Sequence, residues 1–200
     1  MISFTVMMII AAYLLGSISS AIVVCYLFGK GDPRTQGSGN PGATNVLRIA
    51  GPFAAVLVLT FDILKGTISV YAAFRLGLDA LSLGIVAIAA CIGHMFPIFF
   101  KFKGGKGVAT ALGCLFSLGF DLAGLLLGTW LLVILITGYS SVAAILTVTL
   151  APFYTLFFKP DYLYSVLMLS ILIVWQHREN IKRLYRGEES KVWKKGKVNE

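Results

Sequence analysis

The chain has 200 residues, 58% of them hydrophobic and 13% charged, with a mean hydropathy of +0.85 and a formal net charge of +8 at pH 7. Water-soluble domains run near 45–50% apolar and roughly 25% charged, and disordered chains are poor in apolar residues; both classes are excluded. A chain this apolar has to be solvated by lipid.

Residues 1–28 contain no Lys, Arg, Asp, Glu or His. They lack the basic leader of a signal peptide, and the apolar run over 4–28 exceeds the roughly 20 residues a helix needs to cross the hydrocarbon, so it reads as a retained span. Further apolar runs predict spans near 52–76, 81–99, 107–120, 122–137, 141–158 and 162–176, separated by turn and charge signals such as Gly77, Asp79, Asp121, Gly138 and Lys159-Pro160-Asp161. Residues 107–137 read either as one long helix interrupted at Asp121 or as two short ones. Charge decides between them. The loop 29–51 carries Lys30, Arg34 and Arg48, the loop 100–107 carries Lys101, Lys103 and Lys106, and the tail 177–200 carries eight more Lys or Arg. Placing all three segments in the cytoplasm puts 14 of the 17 basic residues on that side, and only an odd number of spans allows it.

The expected fold is therefore all-α: one polytopic integral membrane bundle of seven transmembrane helices over 1–200, N-terminus outside and C-terminus cytoplasmic. Short spans ending at one face suggest a cavity cut into the cytoplasmic leaflet. Cys25, Cys91 and Cys114 all fall in apolar runs and read as small apolar residues. Two His and three separated Cys make no metal cluster, and no cofactor is expected.

Three polar segments carry the chemistry. The first loop reads Gly37-Ser38-Gly39-Asn40-Pro41-Gly42-Ala43-Thr44-Asn45-Val46-Leu47-Arg48. Its glycines permit close backbone approach and an anion-binding nest of successive N–H groups. Ser38, Asn40, Thr44 and Asn45 add neutral donors, and Arg48 a planar fork suited to phosphate; a polar turn with helix caps is the plainer alternative. The second, Lys101-Phe102-Lys103-Gly104-Gly105-Lys106-Gly107, precedes a helix N-terminus and combines ammonium groups, glycines and dipole as anion sites do. It is not a Walker A loop, because Lys106 is followed by Gly107. In the third, His177 and Asn180 share one face of a continuing helix and can point together at a ligand. The turn at 138–141 lies on the same side, so Ser141 can contribute a hydroxyl. Beyond residue 190 the basic tail reads as a contact for anionic lipid. Within the second span, Asp62 and Lys65 at i, i+3 read as a buried, mutually neutralising structural pair.

These segments, with Gly93-His94-Met95-Phe96-Pro97, Asp62-Ile63-Leu64-Lys65-Gly66 and His177-Arg178-Glu179-Asn180-Ile181, resemble the PlsY family, the bacterial membrane glycerol 3-phosphate acyltransferases that use acyl phosphate. The resemblance implies transfer of a fatty acyl group from acyl phosphate to the 1-hydroxyl of glycerol 3-phosphate, giving lysophosphatidic acid and phosphate, the first acylation of phospholipid synthesis. It implies an enzyme of the bacterial inner membrane whose site faces the cytoplasm, with no nucleic-acid partner. The enzyme that makes acyl phosphate is a candidate partner. By the same resemblance Ser38, Arg48, His177 and Asn180 serve activity, Gly104, Gly105 and Gly107 serve glycerol 3-phosphate binding, and Glu189 is structural. Gly39, Asn40, Gly42, Thr44, Asn45, Lys103, Lys106 and Ser141 complete the expected substrate contacts.

Acyl phosphate is already activated, so direct attack without an acyl-enzyme is the expected route; Ser38 as nucleophile would need a base and an orienting acid. The base is either His177, whose ordinary pKa of ~6.5 suits the task, or a phosphate oxygen of the substrate. His94 reads as a packed or capping residue. The competing class is a transporter or flippase of a phosphorylated solute or lipid. Transporters, however, commonly carry paired repeats around a midplane site, whereas here the polar segments gather on one face.

Overall fold

The structure is a computed structural model and describes residues 2–192; the lipid contact expected of the tail falls largely on residues outside these. The described residues are helical, without strands. In chain order they form α1 (Ile2–Gly16), α2 (Ser20–Leu27), α3 (Ala43–Arg75), α4 (Ala80–Met95), α5 (Val108–Phe116), α6 (Phe120–Thr137), α7 (Ser140–Phe158), α8 (Leu163–Gln176) and α9 (Arg178–Tyr185), with short 3₁₀ turns at Ile98–Phe100 and Pro160–Tyr162. Among the described residues, five stretches are long and apolar enough to cross a membrane: Phe4–Leu27, Ala43–Arg75, Ala80–Phe100, Phe120–Thr137 and Ser140–Phe158. Pro160–Gln176 is apolar but shorter. At nine residues, α5 reaches only ~13 Å.

Four boundaries differ from expectation, each for a local reason. The span over 4–28 is two helices, broken over residues 17–19 in the run Gly16-Ser17-Ile18-Ser19-Ser20. The Ser17 hydroxyl bonds back to the Tyr13 carbonyl at 2.8 Å, a bond that competes with the helical ladder. The loop expected over 29–51 becomes helical from Ala43, and the helix bends at Gly51, whose φ of +84° precedes Pro52. Proline has no N–H and disfavours the α conformation in the residue before it. In 107–137 two helices are present, and the chain turns at 117–119, ahead of Asp121. The helix expected to continue through His177 is interrupted there, and α9 starts afresh at Arg178.

Glycines seat the tightest crossings. A Cβ on Gly16 would strike the Ala90 carbonyl and one on Gly93 the Tyr13 carbonyl, so α1 and α4 meet backbone to backbone. Gly66 against Thr110 and Gly113 against Ile63 do the same for α3 and α5, as small residues do between helices in lipid. The central cluster gathers Val70, Leu83, Val86, Met95, Cys114, Leu169 and Ile173. The three cysteines are free and buried.

Candidate active site

The polar ends of the helices converge on a cavity of about 230 Å³. Ser38, Asn40, Thr44, Lys106, Ser140, Ser141 and His177 line one part of it, while Leu112, Leu115, Leu126, Val148, Ala151, Val166 and Leu169 line another. The void is polar at the loop end and mainly apolar along α5 to α8, the shape of an amphiphile.

The first loop is held by its own side chains. The Asn45 amide donates to the Pro33 and Gln36 carbonyls at 2.9 and 3.0 Å and its oxygen accepts from the Ser38 N–H at 2.9 Å. Asn45, expected as a phosphate donor, is thus consumed as a brace that presents Ser38 at the mouth. Arg34 grips Asp32 and donates to the Phe100 carbonyl at 2.8 Å, tying the first loop to the second. The Thr44 and Ser140 hydroxyls pair at 3.1 Å across the opening. Gly42 sits at the N-cap of α3, and Gly39 has φ +71°.

The second loop also differs from a simple nest. The Gly104 and Gly105 N–H groups donate to the Met95 and His94 carbonyls, both at 3.1 Å, so neither is left for a ligand. Their lack of a side chain serves packing instead: a Cβ on Gly104 would meet the His94 carbonyl, and one on Gly105 the His94 imidazole. Lys103 is exposed and off the cavity wall. Lys106 and Gly107 do reach the wall.

Lys106 Nζ donates to the Asn180 amide oxygen, and Asn180 Nδ2 donates to Glu189 Oε1 at 2.6 Å. Because the chain breaks at His177, Asn180 does not share the ligand-facing position of His177: it is 4% exposed, off the cavity wall, and steers Lys106. Glu189 collects the Ser141 hydroxyl at 2.7 Å on Oε1 and Arg183 Nε at 2.7 Å on Oε2. It returns to the bundle because Gly187, at φ +71°, reverses the chain after α9, with Glu188 N–H closing on the Arg183 carbonyl at 2.8 Å. The same strap gives Arg48 two carbonyls, Ser190 at 3.3 Å and Lys191 at 3.4 Å, while Arg48 Nε is buried without a partner.

This network sets the charges. Burial, against the pull of Glu189 and with repulsion from Arg183 and Arg48, pushes the Lys106 ammonium down to about 8. Burial alone would raise the Glu189 carboxyl, but the bonds from Ser141, Asn180 and Arg183 hold it below the ordinary range. His177 Nδ1 lies 2.8 Å from the Ile173 carbonyl, which can only accept. The ring therefore carries its proton on Nδ1, leaving the lone pair on Nε2. Burial and then Lys106 push its pKa down to about 4, so it is a neutral acceptor.

Beneath the loops Asp62 binds the Ser20 hydroxyl at 2.6 Å and Lys65 Nζ at 2.9 Å, with His94 Nδ1 at 3.4 Å. The expected pair is present, enlarged by Ser20, His94 and the Ile18 carbonyl, which accepts from Lys65 at 3.1 Å. Asp62 and His94 touch the cavity wall. Sequence reasoning missed Ser20, the tie that Arg34 makes between the loops, and the support of Gly105 by Gln176, whose amide donates to its carbonyl at 3.2 Å. The signal for Ser20 was a serine-rich interruption within an apolar run.

A membrane-embedded helical bundle with an amphiphile-shaped cavity beneath basic, glycine-rich loops defines a class of integral membrane proteins acting on lipid-like anions. The family model described as glycerol-3-phosphate acyltransferase matches residues 6–187. The glycerol-3-phosphate acyltransferase of Shewanella loihica is 61% identical over 98% of this chain and 96% of its own, and that of Escherichia coli O1:K1 is 58% identical over 95% and 93%. A crystal structure of PlsY, an integral membrane glycerol 3-phosphate acyltransferase, in the glycerol 3-phosphate form matches with a TM-score of 0.89 at 40% identity, covering 94% of each chain. Its lysophosphatidic acid form matches at 0.87. The chain belongs to the glycerol-3-phosphate acyltransferase family, and it is a multi-pass membrane acyltransferase.

Proposed function

We propose that the protein moves a fatty acyl group from acyl phosphate to the 1-hydroxyl of glycerol 3-phosphate, releasing lysophosphatidic acid and inorganic phosphate. The observation that carries this reading is the cavity whose cationic, hydroxyl-lined end runs into an apolar slot. Both substrates bring phosphate to Lys106, Arg48, Ser38, Thr44 and Ser141, and only the donor brings a chain. Gly39, Asn40, Gly42, Asn45, Gly104, Gly105 and Gly107 shape the loops around them, and Asn180 and Glu189 hold Lys106 in place.

Transfer is direct. The glycerol oxygen bonds to the acyl carbon as the acyl–phosphate bond breaks, and the proton passes to the departing phosphate. Neutral His177 orients the attacking hydroxyl through Nε2; at a pKa of about 4 it is a weaker base than a phosphate dianion, whose second pKa is about 6. Positioning two anions and offsetting their repulsion is where most of the rate enhancement arises.

The chain is read as one domain of seven membrane crossings, with α1 and α2 sharing the first, N-terminus outside. The site opens on the cytoplasmic side of the bacterial inner membrane, where positive-inside loops, anionic lipid and the acyl-phosphate-producing enzyme meet it. The test is phosphate release by purified enzyme in detergent. Release that requires both acyl phosphate and glycerol 3-phosphate supports the reading. Release without glycerol 3-phosphate, or none alongside uptake of phosphorylated solute into vesicles, refutes it.

A further inference from the structure

The apolar slot ends at a floor. Along α7 its wall is formed by Ser140, Ser141, Ala144, Thr147, Val148 and Ala151, one helix face followed downward. One turn further, Thr155 is fully buried, bonds back to the Ala151 carbonyl at 2.8 Å and leaves the wall. Along α8 the wall runs from His177 through Ile173, Ser170 and Leu169 to Val166. Ser140 and Ala151, like His177 and Val166, lie eleven positions apart, or ~16 Å at 1.5 Å per residue. Two antiparallel helices thus place the end of the slot at one depth below the polar mouth. There Ala151 and Val166, 3% and 2% exposed, join Leu115 and Leu126 in one apolar cluster, and Leu122, in the same cluster and 0% exposed, lies behind the wall rather than on it.

We infer that Ala151 and Val166 set the length of acyl chain the enzyme prefers; this rests on the reading of the cavity as the acyl-phosphate site. A chain whose head is fixed at Lys106 and His177 has its tail stopped at a fixed depth. Ala151 is the smallest side chain at that stop, so its size is the lever: added carbon atoms there displace terminal methylenes, each of which loses its burial. The lower end of the slot is lined by Leu115, Leu126, Ala151 and Val166, and an apolar void of this kind stays dry until an apolar ligand fills it. The competing path leads sideways past Leu59 and Leu127, which are 43% and 36% exposed on the cavity rim; a chain leaving there would not sense the floor.

The experiment measures kcat/KM of the full-length enzyme on lauroyl, myristoyl, palmitoyl and stearoyl phosphate for wild type, Ala151→Leu and Val166→Ala. In Ala151→Leu the palmitoyl-to-lauroyl ratio is expected to fall by about tenfold or more. In Val166→Ala the stearoyl-to-palmitoyl ratio is expected to rise severalfold. Ratios within twofold of wild type, in variants that elute as monodisperse protein, overturn the inference in favour of the lateral path. Overpacking threatens only Ala151→Leu; if that variant does not fold, Val166→Ala alone decides. Wild type that turns over glycerol 3-phosphate with a different acyl donor and with none of these removes the underlying reading and the inference together. Wild type that uses them while the variants keep its profile removes the inference alone.

Discussion

Raising the pH past about 8 should weaken glycerol 3-phosphate binding while stabilising the empty protein. The pivot is Lys106, whose burial holds it at about 8 against an ordinary 10.5. Below that value it is an ammonium; above it the empty site holds a neutral amine. The substrate phosphate is already a dianion above its second pKa of about 6, so the only change across the alkaline range is on the protein. A charge-assisted hydrogen bond contributes about 1.5–3 kcal/mol, so KM for glycerol 3-phosphate should be flat near neutrality and rise toward tenfold per unit above about pH 8. The stability term has the opposite sign. Between about 8 and 10.5 the unfolded chain binds more protons at this residue than the folded one, so unfolding free energy increases with pH, by roughly 3 kcal/mol over the whole window. Steady-state kinetics across the range, with thermal unfolding of the ligand-free enzyme in the same buffers, read both slopes. Lys106→Arg keeps its charge throughout and should abolish the alkaline limb of KM. A flat KM in wild type, or the same limb in Lys106→Arg, would refute the assignment of Lys106 as the titrating phosphate contact.

Glu189→Gln removes the charge that Arg183 Nε meets at 2.7 Å and should cost about 1–3 kcal/mol, read as a lower melting temperature in detergent, with activity falling because Lys106 loses its anchor. Asn180→Ala should raise KM for glycerol 3-phosphate about tenfold and act non-additively with Lys106→Met in a double-mutant cycle; additive effects would mean that the two residues work separately. Asp62→Asn leaves Lys65 buried without its carboxylate, and folded yield should drop as expected for a loss of about 3–5 kcal/mol. Gly113→Ala drives a methyl into the Ile63 carbonyl and should destabilise by about 1–3 kcal/mol, measured by thermal unfolding.

The apolar runs were legible because a membrane helix must satisfy its backbone internally, so span length and composition are written locally. The Asp62–Lys65 pair was legible for the same reason, being one turn apart on one helix. What could not be read were contacts made across the fold. Asn45 offers the same donors to a phosphate as to the Pro33 and Gln36 carbonyls, and only the loop's path decides between them. Gly104 and Gly105 suit an anion nest in sequence, yet their N–H groups go to Met95 and His94. The break at His177 has neither Gly nor Pro to announce it, and it redirects Asn180 from the ligand to Lys106.

The interruption between α1 and α2 has a consequence for how the protein is made. Inside lipid a freed carbonyl has no water to turn to, and the group that satisfies Ile18 is Lys65, 47 residues later in the chain. During insertion the break that Ser17 favours therefore leaves the Ile18 carbonyl unsatisfied until α3 arrives, bringing a cation that is itself costly to hold in hydrocarbon. Each defect is relieved in part by the other, with Asp62 sharing the Lys65 charge. Biogenesis must then join them as a unit: a nascent chain halted before residue 65 would leave that carbonyl open, and the bend would be secured only as α3 docks.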